Sequence, residues 1–218
     1  MIGAERVLDA QTADRLRVRA HPGGLLVGHD RERAPILLPV FRPRPTYLVL
    51  VGGLWVARVL VFRALALGPR IVLHTADPRR WGGMDEAATG GANRIHVTTA
   101  DLTSPVPASP EEPVLYVADG VPPPRGVLAP WQTRLQIAPT LTPEAGAALR
   151  EADAALLQRM WPEECAEALE LFGAEGPPDA LARIRDDAVA LVAGNAYRLA
   201  WLAPTDLEQT MFGPPSRG

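Results

Sequence analysis

The stretch "YLVLVGGLWVARVL", residues 47–60, decides the fold. Five apolar residues from Tyr47 to Val51 form a β run suited to burial on both faces. Gly52-Gly53 then breaks the run. From Leu54 to Leu67 the chain is apolar almost all round, which predicts a deeply packed helix. Gly68-Pro69 ends it, glycine taking the C-cap role, and "RIVLHT" (70–75) reads as the next strand. This strand–helix–strand unit has the length of a right-handed parallel crossover. The layout is that of a nucleotide-binding core, so the first question is whether the turn holds a phosphate.

The residues of the turn argue against it. A phosphate loop of the G-x-x-x-x-G-K-[ST] type uses glycines to wrap backbone amides round the anion and a lysine to reach it. Here the glycines are adjacent and Leu-Trp-Val-Ala follows. All 22 basic residues of the 218-residue chain are arginine, so there is no lysine for a phosphate or a Schiff base. A dinucleotide fingerprint needs G-x-G-x-x-G/A, and Trp55 would crowd a pyrophosphate. The bland reading is a tight turn that needs small residues. The functional reading keeps Gly52 and Gly53, with Asp77 after the second strand as the ribose acid, as candidate cofactor-binding residues; no cofactor is assigned. Asp77 precedes Pro78 and also suits a cap or turn.

Working outward, "HTADPRRWGG" (74–83) lies where α/β sheets place ligands, beyond the carboxyl end of a parallel strand. Arg79 and Arg80 are anion-ready forks and Trp81 is a natural anchor. These three are the candidate partner-binding residues, against the alternative that Trp81 folds back on the core. "RIHVTTAD" and "VLYVADG" read as further strands, and "WQTRLQIAPTLT" as an amphipathic one. Asp77, Asp101 and Asp119 then fall near strand ends, where carboxylates do acid/base work or simply cap. His74 and His96 become neighbours if their strands pair, but no metal site is assigned.

Residues 1–45 read as a β-rich extension: "RLRVRA" alternates, and Leu25–Val27 and Ile36–Phe41 flank a polar turn. Residues 46–140 form the α/β core. Residues 141–218 read as a helical part with closing strands packed on the same domain: a helix from Pro143 to about Met160, a second over Glu163–Phe172, a third over Ala180–Arg185. A hairpin turning at Gly194-Asn195 follows, then a helical turn capped by Thr205 with Glu208 three residues on. "PPSRG" reads as a loose tail. The expected class is α/β and Rossmann-like, with a mostly parallel sheet.

Composition narrows function further. The hydrophobic share is 47% and the formal charge is -3, ordinary for a globular protein and unlike a nucleic-acid binder. Serine occurs only at 104, 109 and 216, none in a G-x-S-x-G elbow. Cys165, the one cysteine, excludes an intrachain disulfide and reads as a buried structural thiol. Glu163, Glu164, Glu167 and Glu170 read as a solvated helix face. The charged N-terminal stretch shows no signal peptide. Gly52, Gly53, Arg58 and Arg63 break the longest apolar run, against a membrane span. These features are those of a cytoplasmic protein, peripheral to a membrane at most.

"GHDRERAPILLPVFRPRPTYLVLVGGLWVARVLVFRALALG" (28–68) also resembles the entry to secretion and DNA-translocation ATPases of the FtsK/type VII family. There a G-D-x-x-G-x-P hairpin leads into the phosphate-loop strand, and Gly28, Asp30 and Pro35 keep that pattern. The continuation through Trp81 is similar to the soluble part of actinobacterial type VII (ESX-like) accessory proteins of the EccE type. Together the likeness covers residues 25–82. The arginine-only, alanine- and proline-rich usage fits a high-GC genome of that kind. The Walker positions do not match, and EccE-type transmembrane helices are not seen. The resemblance therefore implies a non-hydrolysing scaffold or adaptor whose partners are proteins, including membrane secretion components. The alternatives are a small-molecule or nucleotide-binding Rossmann-like enzyme and a structural homo-oligomer.

Overall fold

In the computed structural model, which describes residues 24–99, 106–123, 126–177 and 179–217, the strands form one ten-stranded sheet. Strands β1 (Leu25–His29) and β2 (Pro35–Leu38) make the first hairpin. The core strands are β3 (Thr46–Val51), β4 (Arg70–Thr75), β5 (Ile95–Thr98), β6 (Val114–Asp119), β7 (Gln132–Ala138) and β8 (Ala154–Leu157). The closing hairpin is β9 (Ala188–Ala193) and β10 (Ala196–Trp201). Their spatial order is β2-β1-β10-β9-β8-β3-β7-β6-β4-β5. Strands β8, β3, β7, β6, β4 and β5 run parallel, and the remaining pairings are antiparallel. The fold is Rossmann-like α/β with a mostly parallel sheet.

Helices cover both faces, as a parallel sheet requires. Helix α1 (Leu54–Leu65) packs on one face. There Leu48, Leu50, Leu73 and Leu115 share a core with Val56, Leu60 and Ala64. Helices α3 (Pro143–Glu151), α4 (Pro162–Phe172) and α5 (Asp179–Ala182) pack on the other, over Val49, Val51, Ala155 and Leu157. Residues 48–51 thus alternate between two cores, which is why the run is apolar throughout. The short α2 (Met84–Thr89) follows a 3-10 turn at Pro78–Trp81, and α6 (Asp206–Phe212) closes over α1 through an edge contact of Phe62 with Phe212.

Two expectations need correction. The helix from Pro143 to about Met160 ends at Glu151, and residues 154–157 form β8 beside β3. Asp153 makes the break. Its carboxylate accepts from the Tyr47 amide at 2.8 Å and pairs with Arg42 and Arg44, the two arginines of "RPRP". The second concerns "PPSRG", whose described residues, 214–217, are docked rather than loose, as shown below. The expected parallel relation of β3 and β4 is present, with β7 and β6 lying between the two strands. "RLRVRA" and Asp101 fall outside the described residues.

Candidate functional site

At the carboxyl edge of the parallel strands the Gly52-Gly53 turn enters α1. Gly53 has an extended backbone (φ -79°), so glycine is not required there by its dihedral angle. It is required by space. A Cβ at Gly53 would fall on the carbonyl of Arg217, and one at Gly52 would lie 2.8 Å from Cβ of Gln158. Both amides are already used: Gly52 N–H donates to the Ala138 carbonyl of β7 at 2.9 Å, and Gly53 N–H to Oε1 of Gln158 at 2.8 Å. Gln158, just beyond β8, is fully buried.

The space over the turn holds residues 213–217. Trp55 Nε1 donates to the Gly213 carbonyl at 2.9 Å, and Gln158 Nε2 donates to the Ser216 carbonyl at 3.3 Å. The Arg217 guanidinium lies 3.6 Å from Glu164 and donates to the Pro139 carbonyl at 3.3 Å. Glu164 is itself held, accepting from the Leu141 amide at 2.7 Å and the Trp161 amide at 3.0 Å. Of the four glutamates read as a solvated face, Glu164 therefore points into the cleft. The positive N-terminus of α1, where an anion would sit, is covered by the chain's own backbone.

A second cluster lies along the same edge. The carboxylate of Asp119, at the end of β6, accepts from Thr75 Oγ1 at 3.0 Å and from Trp81 Nε1 at 2.8 Å, with Arg80 3.9 Å away. Arg58 on α1 donates to the Arg80 carbonyl, and its Nε has no partner among the described residues. Burial and the neighbouring Arg80 charge press the Arg58 guanidinium below its ordinary value, against the pull of Asp119.

Sequence-based candidates are placed as follows. Gly52 and Gly53 follow β3, whereas Asp77 follows β4. Three strand spacings separate those strands, about 14 Å at about 4.8 Å each. Asp77 instead caps the 3-10 turn through the Arg79 amide and pairs with the Arg79 side chain, which holds its carboxyl below the usual range. Trp81 is turned inward and only 2% exposed, so the outward surface of that loop falls to Arg79 and Arg80. Val72 of β4 pairs with His96 and His74 with Thr98, so the two histidines stand two residues apart along the strands. Among the described residues no group of three or more His, Cys, Asp or Glu is placed to hold a metal ion. Cys165 is buried, and burial together with Glu164 raises its thiol above the ordinary value. Gln158 and Arg217 are not among the sequence-based candidates, and Glu164 reads there only as part of a solvated helix face. The one available signal was Pro214-Pro215, a pair that presets an extended backbone.

Comparison with known proteins gives no match, either to a protein-family model or to a curated protein.

Proposed function

We propose that this chain is a non-enzymatic scaffold or adaptor built on a nucleotide-binding type of α/β core. The observation that carries the reading is the state of the Gly52-Gly53 turn. Its two amides are bonded within the fold, and residues 213–217 lie where a phosphate would approach α1. The lysine-free sequence supports it, since no lysine is available to neutralise a β/γ-phosphate. The carboxylate at the end of β6 supports it too. Asp119 is engaged by a threonine and an indole rather than aimed at open space.

The docking surface proposed for this scaffold includes the outward arginines Arg79 and Arg80. The first hairpin adds a second element. Leu26 and Leu37 are cross-strand partners on its outer face, and both remain exposed. In the proposed setting, a type VII-like secretion apparatus, the hairpin resemblance at Gly28, Asp30 and Pro35 is the supporting feature. Asp30 shapes that hairpin by accepting from the amides of Glu32 and Ala34. No helix among the described residues is long and apolar enough to cross a membrane.

The test is a thermal-shift panel of ATP, GTP, NAD, NADP and S-adenosylmethionine, each with and without magnesium. A ligand present at a hundredfold excess over its Kd stabilises the native state by about 2.7 kcal/mol. The scaffold reading predicts no shift for any of them. A shift that disappears in Gly53→Val would replace it with a cofactor-binding protein.

A further inference from the structure

We infer that the cleft over the Gly52-Gly53 turn is a peptide-binding site, specific for an extended proline-led segment carrying an arginine, and filled in this chain by its own residues 213–217. The inference deepens the scaffold reading by naming the chemistry of a partner at that same cleft, and it rests on the cleft not being a phosphate site.

Four features make the cleft a receptor rather than a place where the chain merely passes. Two buried side chains from separate elements, Trp55 of α1 and Gln158 beyond β8, donate to backbone carbonyls of the segment. Main-chain recognition of this kind is how extended peptides are held, with side-chain pockets adding selectivity. The selective pocket is at Arg217. Its guanidinium is mostly covered and faces Glu164, with the Pro139 carbonyl as a further acceptor. Glu164 is fixed in advance by two backbone amides, so its carboxylate needs no reordering to receive an arginine. Finally, the missing Cβ of Gly53 makes room for the segment's backbone, since a side chain there would occupy the position of the Arg217 carbonyl. On the ligand side, Pro214-Pro215 gives the segment an extended shape before it binds, which lowers the ordering cost.

Nothing covalent joins the segment to the cleft beyond its link through α6. A tethered segment acts at an effective concentration of the order of millimolar. A partner's segment with the same pattern would therefore bind weakly until the internal one is released. The cleft becomes a site where partner binding competes with a contact inside the chain.

The probe is a capped, fluorescent peptide Gly-Pro-Pro-Ser-Arg, titrated by anisotropy against the full chain and against Arg217→Glu. That substitution sets two carboxylates together and releases the internal segment while leaving the receptor side untouched. The inference predicts that the probe binds Arg217→Glu about tenfold or more tightly than the unaltered chain, because the tethered competitor is gone. It predicts loss of that binding when Gly53→Ala is added, and with a probe in which alanine replaces the arginine. Absence of probe binding to a folded Arg217→Glu chain would overturn it. Should that variant fail to fold, amide NMR signals of the unaltered chain decide. Excess probe should move the Ser216 and Arg217 signals toward random-coil positions as the segment is displaced, and unmoved signals would overturn the inference. The nucleotide panel repeated on Arg217→Glu keeps the two readings apart. ATP binding there would sink the scaffold reading, whereas failure of the probe alone would sink only the peptide site.

Discussion

Asp119 shows how one side chain at a strand end can look catalytic and be structural. Its carboxylate joins a threonine from the neighbouring strand to an indole from the following loop, and so fixes the 3-10 turn that carries Arg79 and Arg80. Removing an acceptor that leaves a buried donor unpaired costs about 1–3 kcal/mol. Asp119→Ala should therefore lower unfolding free energy by that amount in urea titrations. Asp119→Asn keeps an amide oxygen for the Trp81 N–H and should lose less. An equal loss in both variants would show that the negative charge, through Arg80, is what matters. The indole partner was half legible in the sequence. A tryptophan in a glycine- and arginine-rich loop suits either an exposed anchor or an inward plug, and only the position of β6 beside β4 decides it. The glycines were legible as small, but not the reason. Crowding by Gln158 and Arg217 is a contact between residues more than a hundred positions apart, which no local pattern records.

Among the elements, α1 and α6 are joined by a buried ion pair. Arg63 bonds Glu208 at 2.6 Å, and also donates to the carbonyls of Val27 and Leu202. Glu208 closes the α6 capping box with Thr205. Burial pushes the Glu208 carboxyl up, but the Arg63 bonds, the Thr205 amide and the Arg63 charge outweigh it and leave the group below its ordinary value. A carboxyl depressed in the folded state stabilises above its unfolded pKa, about 4.3. That contribution is lost as pH falls through the folded value. The loss of stability between about pH 5 and the acid transition, followed by circular dichroism, should thus be shallower in Glu208→Gln. The variant should also be less stable near pH 7, by about 1.5–3 kcal/mol for lost charge-assisted hydrogen bonds, since Arg63 keeps its carbonyl acceptors. A pH profile parallel to that of the unaltered chain would assign the acid transition to other carboxylates, Asp153 first. The α6 cap was readable because its signal is local, a threonine with a glutamate three residues on. Strand β8 was not. "DAALLQ" is short and made of helix formers, and it becomes a strand because the slot between β3 and β9 buries both its faces.

Across the whole molecule, the parallel half of the sheet keeps an architecture that elsewhere holds nucleotides, while the edge that would do so is closed from within. The fold class followed from residues 47–75, because alternation between two cores imposes a continuous apolar run. What closes the edge comes from the other end of the described chain and depends on the sheet order, in which β8 carries Gln158 up beside the glycine turn. The claim that the turn holds no phosphate is tested most directly at its own amides. Glycine-selective 15N labelling would report the Gly52 and Gly53 N–H signals, identified by the peak lost in Gly52→Ala and in Gly53→Ala respectively. During titration with magnesium-ATP these two signals should stay fixed in position and intensity. Movement of the Gly53 signal with saturating dependence on ATP would mean that the nucleotide displaces residues 213–217 and binds the turn, and the scaffold account would be wrong.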